Sequence, residues 1–356
     1  MLVLLESRKF NHNMTLLPYL HRVCAGENLP SQDAEQAMAL VLCGEVSTPQ
    51  IAAFLVALRM KGETAGEVLG FARAMRAKAS RVNAGTSNGG VLLDTCGTGG
   101  DGMGTFNIST IAAFVVAATG VRVAKHGNRA ISSQCGSADI LEALGVNIHL
   151  NTAQMGEALR KVGISFLFAP AIHPAMKHAQ AARTELKMRT VFNILGPLTN
   201  PAGATVQLVG SHSFRSAELM AEALANLGIH RGFVVHGADG LDEITTTGET
   251  LALEIQGGAI AHHTLTPDDF GLKSSTREAL QGGDRVVNCQ IAEAVLGGAQ
   301  GPHRDIVLAN ASAALVASGK AAGFREGVSL AAEAIDSGAA KRKARDLAEF
   351  SRAMTS

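Results

Sequence analysis

Apolar positions along the chain change their period near residue 90, and the sequence divides there. Between residues 14 and 85 they recur at three- and four-residue spacings, as in helices with one buried stripe. Leu16, Leu17, Leu20 and Val23 form a first such face, and Pro30-Ser31 opens a second helix towards Leu42. Ser47-Thr-Pro-Gln50 has the form of a capping box, in which two side chains satisfy free amides at a helix start. It leads into Ile51–Leu58 and ends at Gly62; Thr64-Ala-Gly-Glu67 is a second box, before Val68, Leu69, Phe71 and Met75. These stripes predict packing, not chemistry. Residues 82–90 are polar, glycine-rich and aperiodic, which predicts a linker.

From Val91 short apolar runs alternate with helical stripes. They predict strands at 91–95, 121–124, 164–168, 205–210 and 232–236. Helices are predicted at 108–119, 138–144, 152–162, 213–227, 304–318 and 326–336, with a charged last one over 338–352. Strands alternating with helices build a mostly parallel sheet with crossovers. The expected fold is therefore α/β: a small all-helical domain over 1–85 and a larger α/β domain over 86–356 with a mostly parallel central sheet.

Composition narrows the function. The chain has 31 Lys plus Arg against 31 Asp plus Glu, 4% aromatics and no Trp. Zero net charge and few stacking rings argue against a nucleic-acid or membrane-surface partner. No apolar run approaches the ~18 residues of a membrane span. Five scattered cysteines without a CxxC pair favour reduced thiols and a cytoplasmic setting. Residues 1–13 precede the regular pattern and are expected to be a loose extension.

Candidate chemistry begins at the first strand. Val91–Thr95 runs into Cys96-Gly-Thr-Gly-Gly-Asp101-Gly-Met-Gly-Thr105-Phe-Asn107, and a helix follows at Ile108-Ser109-Thr110. Strand, glycine loop and helix start together aim backbone N–H groups at an anion, most often phosphate. A dinucleotide site would want an acid about 20 residues on. Here the next strand ends instead in Lys125-His126-Gly127-Asn128-Arg129, which suits more phosphate. The Lys-Ser/Thr ending of a nucleotide P-loop is also missing. After Arg129 come Ala130, Ile131, Ser132, Ser133 and Ser137, where cations and hydroxyls suit phosphate oxygens, although His126 alone could be an ordinary loop histidine.

A third block, His173 to Pro201, carries Arg183 and Arg189 and has the prolines and asparagines of a domain crossing. An arginine there could pair with a substrate carboxylate or make a structural salt bridge. Lastly, Asp242-Glu243 follows the apolar strand Phe233–Val235. Loop acids are commonly just solvated, but beside two phosphate loops they also suit a hard cation that carries substrate phosphate.

Gly97-Thr-Gly-Gly-Asp101 with Asn107–Thr110, Lys125–Arg129, Arg189-Thr-x-Phe-Asn-x-Leu-Gly-Pro-Leu198 and Asp242-Glu243 together resemble the anthranilate phosphoribosyltransferase family, from about Leu16 to the last helix. Ala182 and Lys187 depart from it, at positions where the family more often has valine and glycine. The resemblance implies a nucleoside phosphorylase/phosphoribosyltransferase-like fold, a returning segment near 185–200 that joins the helical domain, and a homodimer built through that domain. It implies transfer of the 5-phosphoribosyl group of PRPP to the amine of anthranilate in tryptophan biosynthesis. By resemblance Gly97, Gly100, Asp101, Thr105, Asn107, Ile108, Ser109, Thr110, Lys125 through Ser133 and Ser137 hold PRPP. Ser109, Asp242 and Glu243 hold one or two Mg²⁺; Gly97, Asn128 and Arg183 contact anthranilate, Arg183 at its carboxylate. A pyrimidine-nucleoside phosphorylase, or a non-catalytic nucleic-acid-binding relative, are the competing readings.

Overall fold

The computed structural model describes residues 15–85, 90–130 and 134–354. The extension expected at 1–13, part of the 82–90 linker, and Ile131, Ser132 and Ser133 lie outside the described residues.

Four helices come first: α1 (Leu17–Cys24), α2 (Ser31–Cys43), α3 (Thr48–Lys61) and α4 (Ala65–Lys78). The second capping box forms as its sequence predicts. The Thr64 hydroxyl accepts from Glu67 N (3.2 Å), and the Glu67 carboxylate accepts from Thr64 N (2.9 Å). Glu67 is fully buried and also takes Leu29 N and Lys61 Nζ, each at 2.9 Å, so one carboxylate ties three helix ends together. The first box does not form. Ser47 is exposed and caps nothing with its side chain, and Pro49 has already removed one free amide. Nor is 82–90 wholly a linker. Val82 and Ala84 are buried, and Val82 N bonds Pro201 O at 3.2 Å.

The second part of the chain runs β1 (Leu92–Gly97), α5 (Ile108–Ala118), β2 (Arg122–Gly127), α6 (Ser137–Ala143), α7 (Thr152–Lys161) and β3 (Ile164–Phe168). Then come α8 (Ala169–Ile172), α9 (Lys177–Leu186), α10 (Phe192–Leu195), β4 (Val206–Gly210), α11 (Phe214–Asn226) and β5 (Arg231–Gly237). An antiparallel pair follows, β6 (Thr250–Gln256) and β7 (Ala259–Leu265), and the chain ends in α12 (Arg285–Leu296), α13 (Pro302–Ala317), α14 (Phe324–Asp336) and α15 (Ala339–Ala353). The sheet has seven strands in the order β3-β2-β1-β4-β5-β6-β7, parallel from β3 to β5 and antiparallel beyond. The sequence pattern missed α8, α9, α10, β6, β7 and α12. β7 is exposed over most of its length, so its sequence has no apolar alternation to read.

Alternate strand residues bury on opposite faces. Leu93, Val123, Phe166, Leu208 and Phe233 join α5 and α12–α15 in one core. Val209, Val234, Leu253 and Ile255 join α11, and that second core continues through Ala182, Phe192 and Leu195 into the four N-terminal helices. The chain lays β2 and β3 on one side of β1, then crosses back to lay β4 on the other. The carboxyl ends of β1 and β4, at that reversal, are where open α/β sheets place their ligand crevice.

Candidate active site

Gly97 and Gly210 end β1 and β4 in register, and between them the chain at Asp242 comes in from beyond β5. A Cβ on Gly97 would lie 2.3 Å from Asp242 Oδ2, and one on Gly210 only 1.5 Å from the Asp242 carbonyl oxygen. Only bare backbone admits the acid loop here. The loop from Thr98 to Asn107 then turns through Gly99, Gly100, Gly102 and Gly104, all at φ of 66–76°, a region side-chain-bearing residues avoid. Thr98 is fixed by its N–H to Gly210 O (2.9 Å), and its hydroxyl accepts from His212 N (3.1 Å). Arg189 donates to the Gly100 carbonyl from across the crevice.

The two acids face the donors a phosphate would use. Asp242 Oδ2 accepts from Gly99 N (2.7 Å), and Glu243 Oε1 from Ser109 N (3.1 Å), in the first turn of α5. Asp101 Oδ2 lies 3.4 Å from Asp242 N. Burial, then Glu243 and Asp101, push the Asp242 carboxyl well above the usual range. Glu243 is pushed up to about 7, chiefly by burial, with Lys125 pulling it down. Lys125 itself is buried; it donates to the Thr95 carbonyl and reaches Ser109 Oγ at 3.3 Å. Burial lowers its pKa, while Asp94, Cys96, Glu243 and Asp242 hold it up. Lysine, loop amides, helix start and acid pair thus meet at one place.

Strand alternation sends the neighbour of Lys125 the other way. His126 points its ring under the crossing segment, where Nδ1 meets Gly196 O at 3.0 Å and the ring lies 5.2 Å from that of His173. Burial and His173 lower it to about 3, and burial lowers His173 to about 4. Gly127 lies against Ser137, whose hydroxyl accepts from Asn128 N (3.1 Å). The Arg129 guanidinium is taken up by Glu142 (2.7 and 2.8 Å) and Asp139 (3.0 Å), over the Phe168 ring. Asp139 also accepts from Ala130 N (3.1 Å) and Gly136 N (2.9 Å), which shapes the second loop. Thr105 makes a backbone bridge to Gln281, and Ile108 and Thr110 are buried in the first turn of α5.

Arg183 lies on α9, half-buried, its guanidinium 5.2 Å from the Phe192 ring centre. Burial lowers its pKa, and among the described residues no carboxylate pairs with it. Asp94, Asn200, Gly210 and Asn288 escaped the sequence reading. Asp94 alone carried a signal, an acid inside an apolar strand run. It is fully buried, takes His126 N (3.0 Å) and Asn200 Nδ2 (2.7 Å), and Asn200 also bonds Ala124 O (2.8 Å), so the crossing segment is tied to β1 and β2.

Residues 89–341 match the a/b domain of a glycosyl transferase family, and residues 17–79 its helical bundle domain. An anthranilate phosphoribosyltransferase of Solibacter usitatus is 62% identical over 337 residues, 95% of this chain and 99% of that one. One of Symbiobacterium thermophilum is 49% identical, over 93% of this chain and 96% of that one. The crystal structure of anthranilate phosphoribosyltransferase from Thermus thermophilus aligns with a TM-score of 0.89 at 44% identity, covering 95% of this chain and 100% of that one. The Saccharomyces cerevisiae enzyme in complex with PRPP and Mg aligns at 0.86 with 29% identity, over 95% and 98%.

Proposed function

The chain belongs to the anthranilate phosphoribosyltransferase family, and we propose that it transfers the 5-phosphoribosyl group of PRPP to the amine of anthranilate, releasing pyrophosphate, in tryptophan biosynthesis. The observation that carries this reading is the meeting of Gly99 N–H, Ser109 N–H, Lys125 and the Asp242–Glu243 pair at the sheet reversal. Neither phosphorylase nor nucleic-acid binder is favoured by the relatives at 49–62% identity.

Mg²⁺ fits this donor set. Burial leaves Asp242 and Glu243 with raised pKa values, the sign of charge in want of a cation, and every donor is a hard oxygen. Asp242 and Glu243 offer the one or two carboxylates by which Mg²⁺ is commonly held together with substrate phosphate. Asp242, Glu243 and Ser109 would hold it, and it would supply charge neutralisation to the leaving pyrophosphate. The chain itself supplies Lys125 and the amides of 98–109 for the same developing charge. The remaining PRPP contacts, Gly97, Gly100, Asp101, Thr105, Asn107 and the second loop through Ser137, follow the family pattern. Arg183, backed by the Phe192 ring and without a paired acid among the described residues, is suited to the carboxylate of anthranilate, and Gly97 and Asn128 would complete its contacts.

The aromatic amine is already a nucleophile, so holding it in line supplies much of the rate, about 7–11 kcal/mol in well-oriented pairs. No residue becomes covalently attached. The working form is a cytoplasmic homodimer joined through the helical domain, where Leu17 and Met60 leave apolar surface exposed.

The test is loss of anthranilate fluorescence when PRPP and Mg²⁺ are added, with an EDTA control. Metal-dependent decay is expected. PRPP that neither reacts nor raises the melting temperature would overturn the reading.

A further inference from the structure

Asn107 is assigned above to PRPP, yet its side-chain amide is engaged at both ends by protein. Nδ2 donates to the Cys135 carbonyl (3.0 Å), and Oδ1 accepts from Asn288 Nδ2 (3.1 Å). Asn288 Oδ1 in turn accepts from Gly283 N (2.8 Å). The ends of this relay have fixed polarity, because a backbone N–H only donates and a carbonyl only accepts. Both amide orientations follow from that.

The relay joins three separate pieces. Cys135 belongs to the second phosphate loop, and Asn107 stands just before α5 in the first. Asn288 is buried near the start of α12, where the Asp284 side chain caps Val286 N (2.9 Å) and Val287 N (3.0 Å). The chain leading to it lies directly under the first loop. Gly282 N bonds Gly104 O at 2.9 Å, and a Cβ on Gly282 would lie 2.6 Å from Phe106 N and 2.7 Å from Asn288 Oδ1. The start of α12 is thus joined to both loops through Asn107.

We propose that Asn288 is a positioning residue for the donor substrate: through Asn107 it fixes the spacing of the two loops that cradle PRPP. The proposal rests on the PRPP reading above. Asn288→Asp tests it with almost no change of volume. The new carboxylate still accepts from Gly283, but it turns an oxygen towards Asn107 Oδ1. If Asn107 flips to donate, its oxygen then meets the Cys135 carbonyl instead, so one acceptor–acceptor contact remains either way.

The expected result is a rise in the PRPP KM of roughly ten- to a hundredfold. The anthranilate KM should stay within twofold, and PRPP at the same concentration should raise the melting temperature less than it does in the wild type. If Asn288→Asp fails to fold, Asn288→Ser reads the same split, since its hydroxyl is too short to join both partners. Unchanged KM values for PRPP overturn the proposal, and so does a fall in kcat that only follows a lowered melting temperature. A wild-type protein that PRPP stabilises but that transfers nothing would fault the acceptor reading alone, and the thermal shift of the variant would still decide the role of Asn288. Wild type untouched by PRPP overturns both.

Discussion

Gly210→Ala adds one methyl group at the carboxyl end of β4 and should disable the site without touching any side chain in it. The new Cβ would lie 1.5 Å from Asp242 O, 2.5 Å from its carbonyl carbon and 3.4 Å from its Cα. Non-bonded carbon contacts settle near 3.5 Å, so the backbone at Asp242 must retreat by about 2 Å. Its loop is not free to go. Gly237 N holds Leu241 O (2.9 Å), and Asp239 takes the hydroxyls of Thr245 (2.7 Å) and Thr247 (2.6 Å). On the other side Asn310, fully buried in α13, holds both Ile244 N (3.0 Å) and Ile244 O (2.9 Å). The methyl group is accommodated by strain and by displaced carboxylates together. Overpacking of this kind costs about 1–3 kcal/mol. A 1 Å misplacement in a reacting constellation can cost about a hundredfold in rate. The fluorescence assay at saturating Mg²⁺ should therefore show kcat/KM lowered by about two orders of magnitude, with the melting temperature down by a few degrees. A folded variant within threefold of wild type would refute the claim that the close approach at Gly210 sets the acid pair.

Arg183→Ala should raise the KM for anthranilate far more than that for PRPP, and equal effects on both would remove Arg183 from the acceptor carboxylate. His126 and His173, held near 3 and 4 by burial, stay neutral in the fold at pH values where the unfolded chain binds protons. Stability is therefore lost as pH falls from about 6.5 towards 4, by about 2 kcal/mol per ring at pH 5. Asp94, Asp242 and Glu243, raised by burial, act in the opposite direction. The measurement is thus the difference between wild type and His173→Gln in urea at pH 7 and pH 5; parallel curves would refute it. Lys187, at φ 48° and ψ 31°, is the non-glycine residue with left-handed backbone among those described. Lys187→Gly should stabilise by about 0.5–1 kcal/mol by releasing that strain, and a lowered urea midpoint would contradict it.

The sequence made most of this architecture legible because its periods are clean. The stripes of α1–α4 and the apolar runs of β1–β5 face packed cores, so burial and pattern coincide. β7 carries Ala261, His262 and His263 on an exposed edge, and no pattern records a strand that buries so little. At the site, loop chemistry was readable in the glycines and in Lys125, because each stands in a short run whose composition alone suits phosphate. Asn288 and Gly210 were not readable, since their meaning lies in contacts to residues 181 and 32 positions away, Asn107 and Asp242. Arg129 shows the opposite limit. A cation beside a phosphate loop reads as a phosphate ligand, and nothing local in the sequence records that Arg129 also pairs with Glu142 and Asp139.

The strand reversal at β5 has a mechanical consequence. Had the sheet stayed parallel, the segment after Gly237 would have left in a crossover helix, anchored at one foot. It returns instead as β6, paired with β5 from Arg231↔Gln256 to Gly237↔Thr250, so the acid loop is clamped at both feet to one rigid frame. Arg183 is carried differently, on α9, which packs against α2 and α3. The carboxylates and the arginine therefore ride on separate supports. The gap between them is gauged by how the bundle seats on the sheet, and no movement of the acid loop alone can adjust it.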